Sequence, residues 1–144
     1  MRRTQVLHSF VLPVFAAAVV AVAACSTNSS PAAATTATPT TETFSDTIAQ
    51  SGTSVHSFAV SATGTVTISL TAVSPLSTMA LGVGVGTWDG STCGASFSAT
   101  TDARSGATAL TGTATKGDYC VRVYDSGNVP ADWSVSYTVE VVHP

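Results

Sequence analysis

The chain predicts an all-β protein: two antiparallel sheets packed as a β-sandwich, jelly-roll-like, with about eight strands. Three observations carry that expectation. Thr, Ser, Ala, Val and Gly dominate, and only 9% of the 144 residues are charged. Such a composition is poor in the Lys, Glu and Leu that favour helices and rich in β-branched side chains. Apolar residues recur at every second position through most of the chain after residue 42. Turn signals interrupt these runs roughly every 8–12 residues, the spacing of short strands in a sandwich.

The cleanest strand is Gly64–Ala72, where Val66, Ile68, Leu70 and Ala72 face one way and Thr65, Thr67, Ser69 and Thr71 the other. Ser54–Ser61 places His56, Phe58 and Val60 on one face. Met79–Thr87 alternates Met79, Leu81, Val83 and Val85 with Gly82, Gly84 and Gly86. Tyr119, Val121 and Val123 alternate with Cys120, Arg122 and Tyr124, and the closing run Trp133–Val141 puts Trp133, Val135, Tyr137, Val139 and Val141 on its core face. Weaker strands are expected at Thr43–Ala49, Ala95–Thr100 and Thr108–Thr113. Turns fall at 62–64, 88–90, 104–106, 116–118 and 126–128, each with a glycine.

Residues 1–24 have a different character. Arg2 and Arg3 precede an apolar run that is densest over Phe10–Ala24. That run falls short of the ~20 residues a membrane span needs, and it suits the apolar region of a cleaved signal segment. Val22-Ala23-Ala24-Cys25 resembles the lipobox of bacterial lipoproteins. The resemblance implies that a diacylglyceryl group is attached to the Cys25 thiol and that cleavage precedes it. Cys25 would then anchor the protein in a lipid bilayer through more than one acyl chain, which a single chain does only marginally. Ser26, rather than Asp, follows the cysteine, which in enterobacterial lipoproteins points to the outer membrane. The competing reading is an ordinary secretory signal ending at Ala21–Ala23, with Cys25 incidental.

Residues 25–41 form the lipidated cysteine and a linker rich in Ser, Thr, Ala and Pro. Without large apolar residues or charge, Ser26–Thr41 cannot bury enough surface to order itself and should act as a disordered spacer. The β-sandwich domain is expected over 42–144. Its strands resemble those of bacterial pre-peptidase C-terminal domains. The likeness lies in His56-Ser-Phe-Ala-Val60, in Leu81–Val85 ending at Trp88-Asp89-Gly90, in Gly117-Asp-Tyr-Cys-Val-Arg-Val123, and in Tyr137-Thr-Val-Glu-Val141. It implies a small jelly-roll-like sandwich serving as a non-catalytic accessory.

The residues with chemistry are few. With Cys25 lipidated, Cys93 and Cys120 form an even pair in an oxidising compartment, and a disulfide between them is expected. His56 and His143 stand without a Gly-x-Ser-x-Gly or His-Glu-x-x-His motif, so no catalytic residue is assigned. No cofactor is expected. Asp125, Asn128 and Asp132 near turns are weak metal candidates, as calcium takes several loop oxygens, although turn chemistry accounts for them equally. Trp88, at a turn, is a weak ligand-binding candidate, whereas Trp133 is expected in the core. The net charge of −3 and the lack of a Lys/Arg cluster outside Arg2 and Arg3 exclude nucleic acid as a partner. The functional expectation is an envelope lipoprotein whose sandwich binds or scaffolds a protein or glycan. The alternatives are a small exported hydrolase with an unrecognised site, or a calcium- or carbohydrate-binding accessory module.

Overall fold

The computed structural model of the chain describes residues 37–144. The signal segment, Cys25 and all but the end of the linker lie outside the described residues. Eight strands follow one another: β1 Thr40–Ala49, β2 Thr53–Val60, β3 Gly64–Ser74, β4 Leu81–Thr87, β5 Ser98–Ala103, β6 Ala107–Ala114, β7 Gly117–Tyr124 and β8 Ser134–His143. They form two four-stranded antiparallel sheets. Sheet A has the order β1-β8-β3-β6 and sheet B the order β2-β7-β4-β5. Every connection between these strands except β4–β5 crosses from one sheet to the other, which is the eight-strand arrangement of a jelly roll. Thr40 and Thr41, expected in the linker, already belong to β1 and pair with His143 and Val142.

Alternation builds the core. Val121 and Val123 of β7 face Val135, Val139 and Val141 of β8 across the sandwich, and all five are fully buried. Ile68, Leu70, Leu81 and Val83 from β3 and β4 complete the same layer. Tyr137 is 2% exposed, so the aromatic body lies in the core. His143, 3% exposed, links neighbouring strands β8 and β1 and reaches sheet B: its Nε2 lies 2.9 Å from Glu42 Oε1 and its ring lies 5.5 Å from that of Phe58 on β2.

Two expectations are corrected by local geometry. A register shift in the β3–β8 pairing falls between Leu70 and Ala72, so Ala72 is exposed and Val73 takes the buried place. Such a bulge inverts the side-chain faces beyond it. Trp133 precedes β8 rather than opening it: its N–H donates to the Pro130 carbonyl in a turn with Asp132 at φ 65°, and the indole is 40% exposed. Strand β4 is buried on both faces, the glycine face included. The Tyr124 ring lies over Gly82, where an added Cβ would come 2.2 Å from the ring. Gly84 and Gly86 lie under the segment after β4, against Ser96 and the Gly94 carbonyl.

That segment, residues 88–97, is tied down by polar bonds. Asp89 Oδ1 accepts from the Ser91 and Thr92 amides at 2.8 and 2.6 Å, and Oδ2 accepts from the Thr92 hydroxyl at 2.7 Å. Arg122 Nη2 donates to the Cys93 carbonyl at 3.0 Å, so Arg122 holds the loop rather than forming an ion pair. Cys93 and Cys120 are joined by a disulfide. The outer face of sheet A is different. Thr43, Ser45 and Thr47 of β1, Ser136 and Thr138 of β8, and Thr67 and Ser69 of β3 cover it with hydroxyls. Several pair across strands, as Ser45 with Thr138 at 2.9 Å and Thr47 with Ser136 at 3.2 Å.

Two stability outcomes follow from these contacts. Replacing both Cys93 and Cys120 by Ala should lower stability by about 3–4 kcal/mol, the chain-entropy value for a loop of this length, as read by urea denaturation. Gly82→Ala should displace the Tyr124 ring and cost about 1–3 kcal/mol, the scale of core overpacking, with a matching fall in Tm.

Candidate functional site

Two places in the described residues gather functional groups. The first is the β1–β2 side of the sandwich. Strand pairing sets Asp46 opposite Tyr137, and β2 brings Ser54 and His56 next to them. The Ser54 hydroxyl donates to Asp46 Oδ2 at 2.5 Å, and Asp46 Oδ1 accepts from the Thr47 amide at 2.8 Å. His56 Nε2 lies 2.8 Å from the Tyr137 hydroxyl, and its ring stacks on Phe44 at 4.9 Å. The bonds decide the chemistry. A serine nucleophile needs its hydroxyl bonded to the imidazole that takes its proton. Here Ser54 is bonded to the carboxylate and His56 to a phenol.

The electrostatics agree with a structural role. Desolvation pushes the His56 imidazole below its ordinary value, against a smaller opposing pull from Asp46, which favours the neutral ring. The Ser54 hydroxyl and the Thr47 amide hold the Asp46 carboxyl below the usual range. Burial pushes the Tyr137 phenol up.

The residues singled out as weak metal candidates do not converge. Asp125 Oδ1 accepts from the amides of Gly127, Asn128 and Val129 at 2.8, 2.8 and 3.0 Å, and Oδ2 accepts from Ser51 at 2.9 Å. Desolvation alone would raise this carboxyl, but the four amides together hold it below its ordinary value. Asn128 Nδ2 donates to the Ala80 carbonyl at 3.1 Å, and Asp132 is exposed in its own turn. Among the described residues no group of three or more His, Cys, Asp or Glu is placed to hold a metal ion. Trp88 is half-buried, its main chain bridged to Cys93, and it forms no platform with Trp133.

The second place was not singled out from the sequence. It is an apolar groove of about 50 Å³ at the side of the sandwich where β6 ends sheet A. Val66, Ile68 and Leu110 form its floor, and Tyr119 and Phe97 one wall. Phe97 is 61% exposed, with its ring edge-on to Tyr119 at 6.2 Å, and Tyr119 in turn stacks on Phe58 at 5.9 Å. The tied loop 88–97 positions Phe97, whose amide donates to the Val85 carbonyl at 3.0 Å. The groove exists because Gly112, paired with buried Val66, contributes no side chain to that face. Its size is that of a branched aliphatic group rather than a sugar ring or an acyl chain. A larger hollow, about 380 Å³ and open to solvent, lies on the hydroxyl face between Ser45, Thr47, Ser136 and Thr138.

The pH dependence of stability has a definite sign. A lowered histidine pKa means that the unfolded chain binds more protons, so stability is present above the ordinary value of 6.5 and is lost as pH falls below it. Asp46, Asp89 and Asp125, all lowered, add a second loss below their ordinary value of 3.8. Thermal melting between pH 8 and pH 3 should show both declines, and His56→Gln should remove the upper one only. No protein-family model matches the chain, and no curated protein matches it.

Proposed function

We propose that this protein is a lipoprotein of the bacterial cell envelope, anchored through acylated Cys25, whose β-sandwich is a non-catalytic module that binds or scaffolds a partner. The outer membrane, facing the periplasm or the surface, is its expected location. One observation supports the binding role above the others: the groove beside Phe97 is preformed and apolar, while Asp46, Asp89, Asp125 and His56 are engaged in holding strands and turns. Exposed aromatic area around an apolar hollow is the usual mark of a contact surface. The hydrolase reading has less support, since Ser54 and His56 are engaged separately. A calcium-binding reading is weakened by the four amides that already occupy Asp125. The likeness of the strands to pre-peptidase C-terminal domains fits the same accessory role. A groove of this size and lining suits an apolar protein side chain better than a glycan.

The anchor is tested by fractionation of the producing cells. The wild-type chain should sediment with membranes, and Cys25→Ser should leave most of it in the soluble fraction. Equal membrane association of the two would sink the lipoprotein assignment.

A further inference from the structure

Gly112 is a glycine its backbone does not need. It is not one of the residues with positive φ, so any residue can adopt its conformation. A Cβ added there meets no described atom within 4 Å. Glycine inside a strand costs conformational entropy and forgoes packing, and it often marks where another chain comes close. Two residues earlier on the same inward face stands Leu110, half-buried and paired with Ile68. The edge of the sheet thus carries a knob and a hole side by side.

The edge is also open to pairing. β6 has one neighbour, β3, and its other side ends sheet A. Its sequence, ATALTGTA, contains no charge and no proline. Charges and prolines are what keep an edge strand single. Two of the remaining three edges are blunted by charge. β1 carries Glu42 and Asp46, and β5 carries Asp102, ion-paired with Arg104 at 2.7 Å. β2, TSVHSFAV, is uncharged like β6, but it contains no glycine and so offers no hole beside a knob.

We propose that β6 pairs antiparallel with β6 of a second copy of this chain, about a two-fold axis at Thr111. In that register Leu110 of each copy stands opposite Gly112 of the other. Cross-strand neighbours lie about 4.5–5.5 Å apart on one face, so each leucine enters the other's hole. Ala109, Thr113, Thr108 and Ala114, which flank the axis, are small and neutral and set no like charges together. The interface is isologous, as a closed dimer requires, and it joins the two copies of sheet A into one continuous sheet. The exposed Phe97 rings then lie at the seam rather than in water. This inference rests on reading the groove as a contact surface, and it names the partner.

The test uses the full chain in mild detergent. Sedimentation equilibrium should show a concentration-dependent dimer. Gly112→Lys, which places a charge in the hole, should weaken dimerisation about tenfold or more, while Tm stays within a few degrees because the side chain enters open space. Thr111→Cys should yield a cross-linked dimer on a non-reducing gel, and Thr41→Cys, at the far edge of sheet A, should not. A wild-type chain that stays monomeric overturns self-pairing, as does a Gly112→Lys chain that dimerises like wild type. Failure of the wider envelope assignment would show separately, in the fractionation of Cys25→Ser.

Discussion

The facing rows of β7 and β8 are the constraint on which the rest of the molecule depends. Each strand lies inside its sheet, with a neighbour on both sides. Val121 and Val123 meet Val135, Tyr137, Val139 and Val141 with almost no accessible surface left. Because side chains alternate, a slip of one residue in either strand would turn the whole row to solvent. The register of these two strands therefore sets which residues of β1, β2, β3 and β4 face inward. It also sets which strands are left as edges.

Where the alternation lacks side chains, other parts of the chain come close. On the outer face of β4 three glycines let Tyr124 and loop 88–97 lie against the strand. That loop is held by Asp89 inside it, by Arg122 from β7 and by the disulfide to Cys120. On the inner face of β6, Gly112 leaves a space that no described residue fills. The two cases share a cause and differ in outcome, since one gap is covered from within the chain and the other is not. Phe97, presented by the covered side, overlooks the uncovered one.

Much of the fold was legible because it rests on local period. Val66, Ile68 and Leu70, or Val135, Val139 and Val141, declare a buried face without knowledge of their partners. The disulfide was legible from an even count of cysteines after Cys25 is set apart. What was not legible depends on pairing across the chain. Ala72 and Val73 exchange places because of a bulge against β8. Trp133 continues the alternation in sequence but lies in a turn. The groove was hidden for the same reason: its signal was a lone glycine at 112 in a run of small residues. Only the pairing of β6 with β3 shows that this glycine faces inward at an edge.

The hydroxyl face of sheet A has a consequence of its own. Threonine and serine hydroxyls cover this face, with Glu140 the carboxylate set between Thr43 and Ser69. Hydroxyls bind water without a field that dissolved salt can screen. Among the described residues the Arg–carboxylate pair is Arg104 with Asp102, and the buried His143 ring meets Glu42 Oε1 at 2.9 Å. Dissolved salt therefore has few ion pairs to screen among the described residues.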